Sequence, residues 1–198
     1  RGALILSVVL LSWSGWSVWN TALRAPAFNR LPLPTTLVAA DSSLGQQLFV
    51  SSQYTADYDA LLAHFVAQAR PAFCGVASSV VLLNALKPTE NSVTQSTFFD
   101  VAARQVRGEF AVTFGGMSLV NYQRGALGQK ESGHISPLAA YNAASDRFLI
   151  LDVAAYKYPP VWVSAQALWA AMNTMDKSAG HTRGFVVVKQ LPASRLPV

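Results

Sequence analysis

Cys74 is the only cysteine of the 198-residue chain, and it stands where a proline turn runs into an apolar segment. The stretch 74–86 is apolar nearly all round, which predicts a buried helix with the thiol in its first turn. Unpaired backbone N–H groups and the positive end of the helix dipole favour a thiolate there. The residue types therefore allow a nucleophile, although an isolated cysteine is commonly just a small buried hydrophobic residue.

A predicted hairpin brings a histidine and a carboxylate together. Residues 135–141 and 147–153 are typical of two antiparallel strands joined by a short polar turn. If residues 140 and 147 close that turn, His134 lies across from position 152 or 153, which makes Asp152 a near cross-strand neighbour.

Asp152 needs such a neighbour because it shares a strand face with Phe148 and Ile150 and is expected to be partly buried. A buried carboxylate requires a hydrogen-bond donor, which an imidazole N–H supplies. Taken alone, His134 would more often be a core or surface histidine. Combined with Cys74, it is predicted to be a catalytic base.

Gln68 lies six residues before Cys74, and the Pro71 turn between them can fold the side-chain amide back towards the thiol. A side-chain amide placed there can donate a hydrogen bond to the oxyanion of an acyl-transfer intermediate. The alternative is a solvated glutamine at a helix end.

The elements that hold these residues indicate one mixed helix and strand domain. Besides the hairpin, the patterns predict three helices and a last strand, over 57–69, 74–86, 162–175 and 184–189. With 52% apolar residues the chain can build one core of ordinary size. We predict an α+β catalytic domain over 42–198.

The N-terminal residues resemble a targeting segment. Residues 3–19 are apolar, Ser or Gly behind Arg1, and no acidic residue occurs before Asp41, which is typical of a secretory signal. The length is borderline for an uncleaved anchor. We predict a signal peptide or membrane anchor over 1–22, a proline-containing linker over 23–41, and an exported protein, periplasmic or membrane-anchored.

Composition excludes several classes of site. The net charge of +5 is spread without a basic run, so nucleic acid is not an expected partner. One cysteine excludes an intrachain disulfide and a Cys-rich zinc site. His64, His134 and His181 have no metal-binding spacing, so no protein metal site is expected.

Five sequence blocks carry a family resemblance: 68–86, 120–124, 133–138, 151–163 and 182–185. The most specific are G-H-I-S-P-L-A-A-Y-N and Y-K-Y-P-P-V-W-V. From about Gly45 to Val188 the chain resembles the phytochelatin synthases, which are papain-like cysteine transpeptidases acting on glutathione. It looks most like the short bacterial form, which lacks a Cys-rich C-terminal extension.

The resemblance implies a papain-like fold, with a central helix carrying Cys74 packed on an antiparallel sheet carrying His134 and Asp152. It makes Cys74 the nucleophile, His134 the base and acid, and Asp152 the residue that orients His134. It makes Gln68 the oxyanion donor, together with the Cys74 backbone N–H. The positions that it places near the γ-glutamyl end of the substrate are Asn121, Arg124, Gly133 and Arg183.

The resemblance also implies the reaction. Glycine leaves glutathione, γ-glutamylcysteine remains on Cys74 as a thioester, and a second glutathione or water accepts it, with hydrolysis at least equal to synthesis. Heavy metals such as cadmium would enter as thiolates of the substrate, no resident cofactor is implied, and a homodimer is one expected assembly. Two alternatives stay open: a papain-like peptidase for another peptide, and an inactive or non-enzymatic membrane-tethered protein.

One departure from the family concerns residues 119 and 120. Relatives carry several tens of residues between the Gly-Met-[ST]-Leu and Val-Asn-Tyr blocks, which here adjoin. This predicts a deletion or a join of two separated pieces, with packing lost beside the sheet.

We therefore expect thermal unfolding, followed by circular dichroism, to be less cooperative than that of a full-length relative. A sharp transition together with normal activity would contradict this expectation.

Overall fold

The computed structural model describes residues 12–86, 92–98 and 110–190. Its helices are α1 (Ser43–Val50), α2 (Tyr58–Ala63), α3 (Cys74–Leu86) and α4 (Ala165–Met172). Its strands are β1 (Val38–Ala39), β2 (Phe110–Gln123), β3 (Gly133–Asn142), β4 (Arg147–Ile150), β5 (Val161–Ser164), β6 (Met175–Asp176), β7 (His181–Thr182) and β8 (Gly184–Gln190). A π turn spans Trp19–Leu23 and a 3-10 turn spans Arg124–Leu127.

Six strands form one antiparallel sheet in the order β1-β5-β4-β3-β2-β8, and β6 pairs with β7 in a separate hairpin. Helix α3 packs on this sheet, chiefly against β3. The predicted α+β class is confirmed. The helix predicted over 74–86 is confirmed with its bounds. Its apolar side chains are buried on nearly every side, which is why its apolar pattern in the sequence was so clear.

The helix predicted over 162–175 begins later than expected. Val161–Ser164 is a strand, and Trp162 is fully buried there, with its indole N–H donating to the Gly45 carbonyl at 3.1 Å. The helix starts after Ser164, whose hydroxyl caps it by accepting from Ala167 N. A short apolar run fits strand and helix alike, so the sequence pattern could not place this boundary.

The predicted hairpin register is also wrong, because Arg147 pairs two residues later in the first strand than the predicted partner, residue 140. Asn142 pairs with Arg147, a bulge follows, and Leu138 pairs with Ile150. Strand β4 ends at Ile150, so Asp152 lies in the loop beyond it and not on a strand face. The helix predicted over 57–69 is shorter as well, since α2 ends at Ala63.

The junction of residues 119 and 120 lies inside β2. Leu119 and Val120 pair with β3 on one side and with β8 on the other, and the pairing to β8 shifts register between Val112 and Met117. The two family blocks that adjoin here therefore form one continuous strand next to the strand that carries His134.

The N-terminal segment is described from residue 12, and the predicted signal or anchor over 1–22 lies partly outside the described residues. Residues 12–18 are helical, and Trp13, Trp16 and Trp19 are exposed. Within the described residues, no helix combines the length and the apolar character needed to span a bilayer.

Candidate active site

Cys74, His134 and Asp152 come together where α3, β3 and the loop after β4 meet. Cys74 is the first residue of α3, and His134 is the second residue of β3. His134 Nε2 lies 2.9 Å from Asp152 Oδ1, and the imidazole is also hydrogen-bonded to the thiol. Because Nε2 is used by Asp152, Nδ1 is the nitrogen that serves Cys74. The predicted proximity of the three side chains is confirmed.

Backbone and hydroxyl contacts hold these elements in place. Ser78, one turn into α3, donates its hydroxyl to the Ile135 carbonyl at 2.9 Å, which fixes the helix beside His134. Asp152 Oδ1 accepts from Ala154 N at 2.8 Å, which closes the loop around the carboxylate. The triad therefore rests on α3 and β3 and on a short loop tied to its own side chain.

The electrostatics of the site favour an ion pair. Burial alone would raise the pKa of Cys74, but the hydrogen bond and charge of His134 outweigh it and lower that pKa. Burial alone would lower the pKa of His134, but the charge and hydrogen bond of Asp152 raise it. A lowered thiol pKa beside a raised imidazole pKa is the condition for a thiolate with a protonated histidine.

Asp152 makes folding sensitive to acid. Burial would raise its pKa, but His134 and Arg124 lower it to about 2, below the ordinary value near 3.8. The carboxylate therefore stabilises the fold above pH 4, by about 2 kcal/mol, and this contribution is lost as the pH falls from 4 to 2.

Urea unfolding between pH 2 and pH 5 measures this loss, which Asp152→Asn is expected to flatten. The exposed Asp59 of α2 supplies the matched control, Asp59→Asn. Equal pH slopes in the Asp152→Asn variant and the parent chain would contradict the assignment.

Arg124 is buried against Asp152. Its NH2 donates to both Asp152 oxygens at 2.8 and 2.7 Å, its NH1 donates to Gln129 Oε1 at 2.7 Å, and the residue is 1% exposed. A guanidinium so enclosed has almost no exposed surface, and the role of Arg124 in substrate binding stays a prediction. Its position beneath Asp152 follows from the 3-10 turn that begins at Arg124.

Gln68 lies in the site, but its amide faces the backbone. Gln68 N donates to Val153 O at 2.8 Å, which ties this loop to the one that carries Asp152. Its Nε2 is 2.9 Å from the carbonyls of Arg70 and Pro71, and 3.2 Å from the hydroxyl of Tyr156. Its role as oxyanion donor stays a prediction.

A charged cradle stands at one side of the site, formed by Asn121, Asp176 and Arg183. Arg183 NH1 lies 2.6 Å from Asp176 Oδ2 and 3.3 Å from Asn121 Oδ1. The Arg183 Nε is buried without a hydrogen-bond partner among the described residues. A Cβ at Gly133 would stand 3.0 Å from Arg183 NH1, so glycine there leaves room for the guanidinium.

Asp176 was missed by sequence reasoning. It lies seven residues before Arg183 in the β6–β7 hairpin, and hydrogen bonds from Ser178 are the first cause of its lowered pKa of about 2. Its only signal in the sequence was that the chain has just ten acidic residues.

A cavity of about 560 Å³ opens between α3 and the sheet, next to Gly75, the residue that follows the nucleophile. Asn121 and Arg183 give it a polar side, and leucine, isoleucine, valine and phenylalanine side chains give it apolar walls. The site therefore joins a nucleophile, a charged cradle and a space for a small molecule. In the described part of the chain, no three His, Cys, Asp or Glu side chains are grouped to hold a metal ion.

Comparisons with known proteins agree on one family. A family model described as "Phytochelatin synthase" matches residues 28–106 and 91–185. "Glutathione gamma-glutamylcysteinyltransferase 3" of Lotus japonicus is 31% identical over 210 residues, covering 81% of this chain and 44% of that protein. "Glutathione gamma-glutamylcysteinyltransferase 1" of Arabidopsis thaliana is 31% identical over 176 residues, covering 66% of this chain and 36% of that protein.

A fungal protein is also similar. "Glutathione gamma-glutamylcysteinyltransferase" of Schizosaccharomyces pombe is 26% identical over 214 residues, covering 83% of this chain and 52% of that protein. The chain thus spans about half of the fungal relative and less than half of the two plant relatives.

Proposed function

The chain belongs to the phytochelatin synthase family, and from that premise we propose that it removes glycine from glutathione through a thioester on Cys74. The γ-glutamylcysteinyl group then passes to the amine of a second glutathione or to water. The observation that carries this proposal is the arrangement of the half-buried Cys74 with the buried His134 and Asp152, in which the thiol pKa is lowered and the imidazole pKa raised.

The reaction follows from these two groups. The Cys74 thiolate attacks the carbonyl carbon of the Cys–Gly peptide bond, and the electron pair of that carbonyl moves to oxygen. His134 then gives its proton to the departing glycine nitrogen as the C–N bond breaks. The thioester remains. His134, now neutral, accepts a proton from the incoming amine or water, and the thiolate leaves.

The oxyanion needs donors, and we assign this role to the backbone N–H of Cys74 and to Gln68. The N–H groups of a first helical turn have no partner within the helix. For Gln68 to act, its amide has to turn away from the Arg70 and Pro71 carbonyls that Nε2 faces. The whole arrangement, with a cysteine helix packed on a sheet, supports a papain-like fold.

The charged cradle suits the γ-glutamyl end of glutathione, which carries an amine and a carboxylate on one carbon. Arg183 has an unsatisfied buried Nε for the carboxylate, and Asp176 has a carboxylate for the amine. Asn121 contacts both Asp176 and Arg183 and can reach either group of the substrate. Gly133 contributes by leaving space for the Arg183 guanidinium.

Arg183→Gln is expected to raise the KM for glutathione about 10- to 100-fold, with a smaller effect on kcat, because a charged hydrogen bond to the carboxylate is lost. Steady-state glycine release at several glutathione concentrations measures both constants. Lys177→Gln is the matched control, since Lys177 is an exposed cation on the same hairpin. An unchanged KM in Arg183→Gln would remove Arg183 from substrate recognition.

Further expectations from the family stay proposals. We propose that heavy metals such as cadmium enter bound to the substrate thiol, that the enzyme needs no resident cofactor, and that it forms a homodimer. We also propose that the N-terminal segment exports or anchors the protein. The exposed tryptophans Trp13, Trp16 and Trp19 support a place at a membrane surface, where indole rings are favoured.

The test of this function is incubation of the purified chain with glutathione, with free glycine and intact protein mass followed together. Glycine release together with a γ-glutamylcysteinyl adduct on the protein supports the proposal. Cleavage of other peptides alone supports a papain-like peptidase with another substrate. The absence of both turnover and adduct supports a non-enzymatic protein. Protein alkylated at its single cysteine is the control.

A further inference from the structure

The Arg124 guanidinium is buried next to Asp152 and is enclosed by side chains. The guanidinium donates to both oxygens of Asp152 and to Gln129, and its carbon lies 5.0 Å from the centre of the Tyr158 ring and 5.8 Å from that of Tyr122. Side chains thus close it on several sides, and only 1% of the residue is exposed. Arg124 is therefore placed to act on the triad through its contact with Asp152 and through its charge.

The Asp152 carboxylate is divided between two cationic partners. Oδ1 accepts from Ala154 N at 2.8 Å, from Arg124 NH2 at 2.8 Å and from His134 Nε2 at 2.9 Å. Oδ2 takes the shorter Arg124 contact of 2.7 Å. Since the carboxylate has no exposed surface, solvent does not screen this competition.

We propose that Arg124 is a positioning residue that partly neutralises Asp152, so that His134 can both hold and release its proton in the neutral range. This inference rests on the proposed cysteine and histidine chemistry. A buried carboxylate shared with no other cation would hold the imidazolium more firmly. His134 would then give its proton to the leaving amine less readily, and its protonated form would persist to higher pH.

Other ionisable groups face Asp152 and its partners Arg124 and His134 from the neighbouring elements. They are Cys74 of α3, Tyr122 of β2, and Tyr156, Lys157 and Tyr158 of the loop after β4. Burial first, and then the charge of Asp152, raise the pKa of the Tyr122 hydroxyl, so it is neutral across the working range. Arg124 is therefore the cation in direct contact with Asp152 besides His134, within the residues described. Its charge opposes the rise that Asp152 produces in the His134 pKa.

The test is an NMR titration of the His134 ring in the full chain, which needs no glutathione. Arg124→Gln is expected to raise the His134 pKa by about one unit, and to move the alkaline limb of glycine release upward with it. Arg124→Lys, which keeps the charge, is expected to restore most of the parent value. Arg147→Gln is the matched control, because Arg147 lies in β4 and contacts the Thr36 carbonyl instead of the triad.

Arg124→Gln leaves Asp152 buried with one cationic partner, so this variant could misfold. A second pair of variants therefore tests the inference independently. Asp152→Asn leaves Arg124 buried without a carboxylate, so adding Arg124→Gln to it removes the remaining charge. The double variant is expected to be more stable than Asp152→Asn alone, and its His134 pKa is expected to be higher than in Asp152→Asn.

Two results would overturn the inference. One is a His134 pKa that Arg124→Gln leaves unchanged or lowers, and the other is a double variant with no gain in stability or in His134 pKa over Asp152→Asn. Failure of the proposed function has a different signature. The parent chain would then release no glycine, while the His134 titrations would still respond to Arg124.

Discussion

Replacing Cys74 by serine is expected to lower glycine release from glutathione by at least about 10³-fold. A serine hydroxyl stays protonated beside His134, whereas the thiol has its pKa lowered by the hydrogen bond and charge of that imidazole. The thioester also disappears, because no other cysteine exists in the chain. Glycine release and intact protein mass, measured on the same samples, give both results.

The loss has to be separated from unfolding. Cys74→Ser leaves the bond between His134 and Asp152 and the anchor from Ser78 to Ile135 in place, so the variant should unfold within a few degrees of the parent chain. Ser43→Ala is a suitable control because Ser43 is exposed at the start of α1 and lies outside both the triad and the lining of the cavity. A folded Cys74→Ser variant with a tenth of the parent activity would exclude Cys74 as the nucleophile.

Replacing His134 by glutamine is expected to lower glycine release by about 10²- to 10⁴-fold, the range of one general acid and base. It also removes the cation beside the thiol, so Cys74 should become slower to alkylate at neutral pH. The rate of iodoacetamide alkylation against pH is expected to rise at higher pH than in the parent chain, because the cause that most lowers the thiol pKa is gone.

Alkylation reports on Cys74 alone, since it is the single cysteine, and it requires no substrate. His64→Gln is the matched control, because His64 follows the end of α2 and takes no part in the triad. An alkylation profile that His134→Gln does not move would mean that the histidine does not stabilise the thiolate. A shifted profile with normal glycine release would mean that it is not the acid or base.

Much of the site was readable from the sequence because its strongest signals are local. The Pro71 turn followed by an apolar run places Cys74 at a helix start, and the helix has the predicted bounds. The short turn between two strands brings His134 near Asp152 even though the register differs, since His134 lies at the start of β3 and Asp152 lies two residues beyond the end of the neighbouring β4. The observed register places Asp152 beyond the end of β4, and His134 and Asp152 remain in contact.

The errors arose where distant contacts decide the outcome. Trp162 lies in a strand because it fills the core and reaches the Gly45 carbonyl, which is 117 residues away. Asp176 joins the site because the β6–β7 hairpin places its carboxylate beside Asn121 of β2, which is 55 residues away. Neither contact leaves a periodic pattern, so sequence periodicity could not reveal it.

The sequence by itself determined the reactive groups, their family, and the helix that presents the thiol. The tertiary structure decided which partner each of two arginines, Arg124 and Arg183, contacts. Arg124 and Arg183 are equally plausible carboxylate ligands in the sequence, yet the fold encloses Arg124 against Asp152 and leaves Arg183 beside the cavity. The physical reason is burial: the partner of a guanidinium depends on which side chains surround it and exclude water, and residues distant in sequence supply them.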